Sequence, residues 1–168
     1  ICDSEIDQNE QRYDQTVDVR KYLKRIAGKT AALFSLSIAV GAHKAGCDKK
    51  ITSKLTNIGK NIGMAFQIVD DILDFTGNEK TVGKPLLSDA KQGIFTLPII
   101  YSLNSSYREE TIKAIEMIKD DGGERLMHCV INSGGLERTK GLARKFIKKA
   151  LKIKDTLPDG YGKEAITE

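Results

Sequence analysis

The sequence predicts an all-α protein, organised as a helical bundle or as part of one. Apolar residues recur at helical spacing along almost the whole chain, from Val17 to Leu157. No run of useful length alternates apolar and polar residues, so we expect no sheet. The 168 residues and their hydrophobic content of 40% suit one domain with a modest core, and we assign residues 1–168 to that domain.

Composition argues against several classes of protein. Cys2, Cys47 and Cys129 are odd in number, far apart and without a C-x-x-C pair, which favours a reducing cytoplasm over a disulfide framework or a zinc ribbon. His43 and His128 are isolated, so we interpret them as structural or surface residues rather than metal ligands. The formal net charge of +4 gives no reason to expect a nucleic-acid partner. No stretch approaches the apolar length of a transmembrane helix, so we expect no membrane span.

The first half of the chain predicts two long helices. The spacing from Val17 to Ala42 indicates one long helix or two abutting helices, ending near the turn-like Gly46-Cys47-Asp48. A second long helix is predicted from Ile51 to Phe75. Residues Thr76–Lys91, rich in Gly, Lys, Asp and Pro, are predicted to form a loop.

Shorter helices are predicted in the second half. Thr96-Leu97-Pro98 is typical of an N-cap followed by a first-turn proline, and it opens a helix through Leu103. Polar residues and glycines suited to helix ends separate the next segments. Three further helices are predicted over Glu109–Lys119, Gly123–Ile131 and Glu137–Leu157, and the residues from Leu157 to Glu168 begin a final one.

A stripe of acids lies on the helix predicted over Ile51–Phe75. Its last four turns are apolar except for Gln67, Asp70, Asp71 and Asp74. At about 100° per residue these four fall within an arc of roughly 100°. A helix apolar over most of its surface is normally central in its bundle, and no Lys or Arg lies three or four residues away to neutralise the acids. Burial of unpaired carboxylates is costly, so we favour a cavity holding Mg²⁺ against a diphosphate over a solvated acidic face.

Several cations leave two interpretations open. Lys29 precedes an apolar run, and it is either a surface residue with a buried stem or a ligand of a phosphate oxygen across the cavity. Lys84, in the loop after the acidic helix, is either solvent-exposed or a second phosphate ligand. The last helix presents either a solvated basic face or a surface weakly attracted to anionic membranes. Its basic residues are Lys140, Arg144, Lys145, Lys148, Lys149, Lys152 and Lys154.

Together these motifs resemble the all-trans polyprenyl diphosphate synthases, from about Glu5 to the end of the chain. The most specific element runs from Phe66 to Phe75, and its pattern is Phe-Gln-x-x-Asp-Asp-x-x-Asp. Lys29-Thr30-Ala31 precedes it, and Gly83-Lys84-Pro85 and Thr96-Leu97-Pro98 follow it in the family's order. The likeness is to medium- and long-chain bacterial members, such as the catalytic component of heptaprenyl diphosphate synthase. It implies the isoprenoid-synthase helical bundle, of which this chain is an incomplete carboxy-terminal portion.

The resemblance also implies an activity. Members condense isopentenyl diphosphate with an allylic diphosphate to make a trans-polyprenyl diphosphate, a precursor of quinone side chains such as that of menaquinone. Mg²⁺ acts as Lewis acid on the departing diphosphate. Carried over by position, Asp70 binds Mg²⁺ directly, Asp74 binds it through water, and Asp71 is the weakest ligand of the three. Lys29 and Lys84 hold the allylic diphosphate.

Further roles follow from the same resemblance. Gln67 and Thr30, with the main-chain carbonyl of Lys29, are expected to stabilise the developing allylic cation. The family forms homodimers, or heterodimers with a second synthase component. Peripheral contact with a membrane would suit release of a lipid product.

Two departures from the family's pattern limit what this chain does alone. Ile94 stands where a lysine often follows Gly93, and the first aspartate-rich motif and an arginine pair of the family are absent. The acidic start, Asp3 to Asp18, suggests a cut rather than a native terminus. We therefore expect about half an enzyme, with little activity by itself. Two alternatives stay open: a non-catalytic diphosphate-binding or assembly module that needs a partner chain, and a terpene cyclase, against which the Gly-Lys-Pro to Thr-Leu-Pro segment argues.

Overall fold

The structure is a computed structural model that describes residues 2–77, 86–164 and 166. Within these residues the regular elements are helices and there is no strand, which confirms the predicted all-α class. The helices are α1 (Cys2–Glu10), α2 (Val19–Ile26), α3 (Ala32–Lys44), α4 (Lys49–Thr76), α5 (Ser88–Lys91), α6 (Leu97–Leu103), α7 (Arg108–Glu116), α8 (Glu124–Asn132), α9 (Gly135–Lys154) and α10 (Tyr161–Glu164).

The helix predicted from Val17 to Ala42 is continuous but contains a wider turn. A π-helical segment, Ala27–Ala31, joins α2 to α3 without a break. The stretch begins at Asp18, whose carboxylate accepts the N–H of Lys21 at 2.7 Å. It ends before Gly46, whose φ of +75° is the left-handed conformation common after helices. A π turn often marks a functional site, and this one carries Lys29 and Thr30.

Two glycines let α3 lie close against α4. A Cβ atom at Gly63 would stand 2.7 Å from the Cα atom of Ala31, and one at Gly59 would stand 2.9 Å from the carbonyl oxygen of Phe34. Because real Cβ contacts are not so short, any larger residue would push the two helices apart. This close approach brings the π segment beside the acidic end of α4.

The core lies on the other side of α4. Helix α4 packs against α9 along much of its length, and α6 packs against both. Helix α8 contacts α6 and α9 and closes the core. The most deeply buried apolar side chains include Ile68, Leu97, Ile99, Ile100, Leu126 and Val130. This packing holds the acidic segment of α4 in a fixed place relative to the residues around α5 and α6.

Several sequence expectations differ from the structure in detail. Helix α1 was not predicted, because its polar composition lacks an apolar stripe. The short α5 lies inside the segment predicted as a loop. Thr96 stands at the N-cap of α6 as predicted, but its side chain makes no capping hydrogen bond. Gly83-Lys84-Pro85, with the predicted phosphate ligand Lys84, lies outside the described residues.

One side of α4 is more exposed than the sequence suggested. Phe66, Val69 and Leu73 keep 58%, 45% and 42% of their surface accessible. The expectation that this segment is buried on nearly all sides was therefore wrong. The reason is that α3 and the core cover two sides of α4 and leave the side with Phe66, Val69 and Leu73 open.

The expectation that no stretch is long and apolar enough to cross a membrane was also wrong. The helical stretch Val19–Lys44 meets both criteria, with a mean hydropathy of 1.2 over its most apolar window, and 17% of that window is buried. It reaches this length because α2, the π segment and α3 run on without interruption. Length and composition alone do not separate a membrane span from the core helix of a soluble protein.

Helix α9 presents its basic residues outward. Arg144, Lys145, Lys148 and Lys149 are exposed, whereas Ala143 and Ala150 are buried. This arrangement fits the solvated-face interpretation. Contact of this face with a membrane stays a prediction.

Candidate functional site

A polar cavity of about 190 Å³ lies between α1, α2, the acidic end of α4 and residues 89–96. It brings together four of the predicted site residues: Lys29, Gln67, Asp70 and Asp71. Thr30 adjoins it through a hydrogen bond to Gln67. The full lining is Gln8, Tyr22, Arg25, Ile26, Lys29, Gln67, Asp70, Asp71, Asp89, Ile94 and Thr96.

The side-chain amide of Gln67 is the centre of the hydrogen-bond network. Its oxygen accepts the hydroxyl hydrogen of Thr30 at 2.6 Å. Its nitrogen donates to Asp70 Oδ2 at 3.3 Å and to Asp71 Oδ1 at 3.2 Å. Because both ends of the amide have partners of the right kind, its orientation is fixed. The π segment and α4 are thereby joined at the cavity wall.

Asp71 is buried and has partners on both carboxylate oxygens. The phenol of Tyr22 donates to Oδ2 at 2.5 Å, and Gln67 donates to Oδ1. Burial raises the pKa of this carboxyl from 3.8 to about 7, although the hydrogen bonds from Tyr22 and Gln67 act in the opposite direction. Asp71 therefore changes its charge near neutral pH.

A buried arginine, Arg25, lies next to Tyr22 and Asp71. Arg25 donates to the carbonyl oxygen of Phe95 at 3.0 Å and to Gln11 Oε1 at 3.4 Å. Its guanidinium carbon is 5.6 Å from the centre of the Tyr22 ring. Burial lowers the pKa of Arg25, while the negative charge of Asp71 raises it. The cation thus offsets part of the cost of placing Asp71 in the interior.

Lys29 lies on the cavity wall, in the π segment. Its ammonium nitrogen is 3.0 Å from Glu5 Oε1 and 3.2 Å from Gln8 Oε1, so α1 supplies both contacts. The side chain stays partly exposed, which keeps the ammonium accessible from the cavity. Lys29 therefore lines the cavity with a partly exposed side chain, and its role as a phosphate ligand stays a prediction.

Asp74 is placed differently from the other two acids. It is buried, and it does not line the cavity. Its Oδ1 accepts the N–H of Ser88 at 3.2 Å, and its Oδ2 accepts the N–H of Asp89 at 3.4 Å. These bonds hold the start of α5 against α4 and bring Asp89 to the cavity. The role of Asp74 as a magnesium ligand stays a prediction.

The donor set fits a magnesium ion that is shared with a substrate. No group of three or more His, Cys, Asp or Glu among the described residues is arranged as a complete metal site. Mg²⁺ usually binds one or two carboxylates and completes its shell with water and substrate phosphates. Partly exposed Asp70 suits that role, and Asp89 is a second carboxylate on the same cavity.

Sequence reasoning assigned no role to Gln8, Tyr22, Arg25 and Asp89. Tyr22 and Arg25 precede Lys29 by seven and four residues, a spacing that places all three on one side of a helix. That pattern was available in the sequence. Gln8 and Asp89 belong to the pattern that resembles the family, but they reach the cavity only through the folding of α1 and α5, and helical spacing alone does not place them there.

Comparisons with known proteins identify relatives of this chain. The model of the polyprenyl synthetase family matches residues 1–131. The chain is similar to heptaprenyl diphosphate synthase component 2 of Bacillus subtilis, with 34% identity over 167 residues, which cover 99% of this chain and 48% of that protein. The chain therefore spans about half the length of the curated relatives it matches.

Solved structures of the same family superpose on this chain. Heptaprenyl diphosphate synthase from Staphylococcus aureus superposes with a TM-score of 0.89 at 36% identity, over 98% of this chain and 52% of that one. Polyprenyl synthase from Caulobacter crescentus, complexed with calcium and isoprenyl diphosphate, superposes with a TM-score of 0.90 at 30% identity and the same coverage. This confirms the predicted isoprenoid-synthase bundle. The chain belongs to the polyprenyl synthetase family.

Proposed function

We propose that this chain is part of a trans-polyprenyl diphosphate synthase that condenses isopentenyl diphosphate with an allylic diphosphate. One observation carries the proposal: a single cavity gathers Lys29, Gln67, Asp70 and Asp71, with Thr30 bonded to Gln67. An ammonium group beside carboxylates suits a diphosphate bound together with a divalent cation. The relatives are polyprenyl and heptaprenyl diphosphate synthases, which supports the same reaction.

In the proposed reaction each residue has a distinct task. Lys29 exchanges part of its contact with Glu5 for a diphosphate oxygen. Asp70 and Asp89 hold Mg²⁺, which when bound withdraws negative charge from the departing diphosphate. Asp71 stays fixed by Tyr22 and orients Gln67. Lys84 and Asp74 keep the roles that the family resemblance implies, as phosphate and water-mediated metal ligands.

Thr30 and Gln67 provide the polar groups for the allylic cation. The hydroxyl of Thr30 donates its hydrogen to Gln67. The lone pairs of the Thr30 oxygen therefore stay available for a developing positive charge. Because the Gln67 amide is held at both ends, these dipoles need no reorganisation during the reaction. The carbonyl of Lys29 lies in the same π segment.

Partners and setting belong to the proposal as well. The complex of the Caulobacter enzyme with calcium and isoprenyl diphosphate supports a divalent cation and a prenyl diphosphate as ligands. The designation of the Bacillus relative as component 2 supports assembly with a second component, and a homodimer is the other arrangement. We propose a cytoplasmic enzyme that supplies quinone side chains such as that of menaquinone, with brief membrane contact during product release.

A second candidate function is a non-catalytic diphosphate-binding or assembly module. The observation that favours it is coverage, because this chain corresponds to only about half of each relative. In that case the cavity binds a diphosphate but a partner chain supplies the remaining catalytic groups.

We expect the 168-residue chain alone to incorporate labelled isopentenyl diphosphate at no more than about one hundredth of the rate of a completed enzyme, because it lacks the first aspartate-rich motif. The completed enzyme is a chimera in which this chain replaces the matching part of the Caulobacter polyprenyl synthase. Incorporation is measured with an allylic diphosphate and Mg²⁺, and circular dichroism checks folding. A chain as fast as the chimera contradicts the expectation that it is inactive alone, whereas a folded chimera that binds diphosphate without incorporation contradicts the proposed reaction and supports the module.

A further inference from the structure

Arg25 is a buried cation on the wall of the cavity. It keeps 5% of its surface accessible, and it lines the cavity together with Lys29, Asp70 and Asp89. The ammonium of Lys29 has a carboxylate oxygen of Glu5 at 3.0 Å, whereas no carboxylate of the described residues lies within ion-pair distance of Arg25. Because a buried charge without a counter-ion is costly, this guanidinium is suited to receive an anion from the cavity.

The guanidinium of Arg25 has hydrogen-bond donors that the protein does not use. Of its five N–H groups, one donates to the carbonyl oxygen of Phe95 at 3.0 Å and one donates to Gln11 Oε1 over a long 3.4 Å. Its Nε donates to no described residue. Among the described side-chain nitrogens and oxygens, Asp121 Oδ2 is the one that is fully buried without a partner. The Nε of Arg25 is therefore not fully buried, and the space that Arg25 lines is the cavity.

The surroundings hold the guanidinium in place before any ligand binds. Its carbon lies 5.6 Å from the centre of the Tyr22 ring, and the Tyr22 phenol is itself anchored on Asp71. Asp71 is not a contacting counter-ion, because its two oxygens accept hydrogen bonds from Tyr22 and Gln67. The bond to Phe95 fixes another edge of the guanidinium. An arginine held in this way presents its donors in a fixed plane, which suits the oxygens of a phosphate group.

The neighbouring part of the wall supplies no charge. Ile94 lines the cavity at the position where the family often has a lysine, and it directly precedes Phe95, whose carbonyl accepts the bond from Arg25. We propose that Arg25 binds the diphosphate group that this cavity holds together with Mg²⁺, as a second cation beside Lys29, and that it supplies the positive charge that Ile94 does not. This assignment rests on the proposed function, which places the diphosphate in the cavity.

The experiment titrates inorganic diphosphate into the 168-residue chain at saturating Mg²⁺ and measures Kd by calorimetry. Arg25→Met removes the charge but keeps an unbranched stem, and it should raise Kd at least about tenfold. Arg25→Lys keeps the charge without the planar set of donors, so its Kd should fall between the two. The matched control is Arg20→Met, which removes an exposed arginine from the same helix and should leave Kd within a factor of about two.

A rescue separates binding from a merely structural role of Arg25. If Arg25 acted only by holding the main chain at Phe95, adding Ile94→Lys to Arg25→Met would restore no affinity. We expect the double variant to bind diphosphate at least about threefold more tightly than Arg25→Met, because it returns an ammonium group to the same part of the wall.

Two results overturn the assignment in distinguishable ways. A folded Arg25→Met variant with a Kd within a factor of about two of the unsubstituted chain overturns the role of Arg25 and leaves the proposed function standing. Failure of the unsubstituted chain to bind diphosphate in the presence of Mg²⁺ contradicts the proposed function as well. If circular dichroism shows that Arg25→Met is unfolded, the ¹⁵N resonance of Arg25 Nε in the unsubstituted chain decides. It should shift when diphosphate and Mg²⁺ are added, and an unchanged resonance overturns the assignment.

Discussion

Replacing Asp70 with alanine in the chimeric enzyme is expected to lower turnover at least about 100-fold. The side chain is partly exposed, and the hydrogen bond that it accepts from Gln67 is long, at 3.3 Å. Its loss should therefore change the free energy of unfolding by less than about 1 kcal/mol. A large loss of rate with little loss of stability is what a metal ligand predicts. The measurements are isopentenyl incorporation under saturating Mg²⁺ and urea unfolding of the same samples.

The matched control for this change is Glu116→Ala. Glu116 is an exposed acid on α7 and does not line the cavity. Its replacement removes the same charge from the chain, so a general effect of charge would appear in both variants. Turnover of the Asp70→Ala variant within a factor of about three of the Glu116→Ala variant contradicts the assignment of Asp70 as a magnesium ligand.

The second large effect concerns stability and pH. The free energy of unfolding should fall as pH rises from about 4 to about 7 because of Asp71. Burial raises the pKa of this carboxyl to about 7 from 3.8, so over that interval the folded chain retains a proton that the unfolded chain has lost. At about 1.4 kcal/mol per pKa unit, roughly three units give an effect of up to about 4 kcal/mol. The stabilisation is complete below pH 4 and absent above pH 7.

Chemical unfolding of the chain and of its Asp71→Asn variant between about pH 4 and about pH 8 isolates this contribution. Contributions from other groups are shared and cancel in the difference. The free energy of unfolding of the chain, relative to that of the variant, should fall by up to about 4 kcal/mol as pH rises, and parallel curves exclude a raised pKa. A Tyr22→Phe change removes a hydrogen bond that lowers the pKa of Asp71, so it should move the upper end of the interval to higher pH.

The sequence was sufficient for the elements that depend on local pattern. The periodicity of Ile51–Phe75 is enough to predict α4, which the structure extends over Lys49–Thr76. The spacing of Gln67, Asp70 and Asp71 predicts a shared face, and these three do line one cavity. Such features need only helical geometry.

Features that depend on tertiary contacts were out of reach. Asp74 has helical spacing to the other acids, yet the bonds to Ser88 and Asp89 place it outside the cavity lining. Helix α1 has no apolar stripe, but it reaches the site through Glu5 and Gln8. The exposure of Phe66 depends on which other helices pack against α4, and the sequence pattern of α4 alone does not show this.

The central claim is that the cavity at Asp70 binds a diphosphate together with Mg²⁺. Calorimetric titration of inorganic diphosphate into the 168-residue chain tests it most directly, with Mg²⁺ present and with Mg²⁺ chelated. Binding that requires Mg²⁺, disappears in Asp70→Ala and persists in Glu116→Ala is the predicted result. Binding that is equal with and without Mg²⁺, or that is unaffected by Asp70→Ala, contradicts the claim.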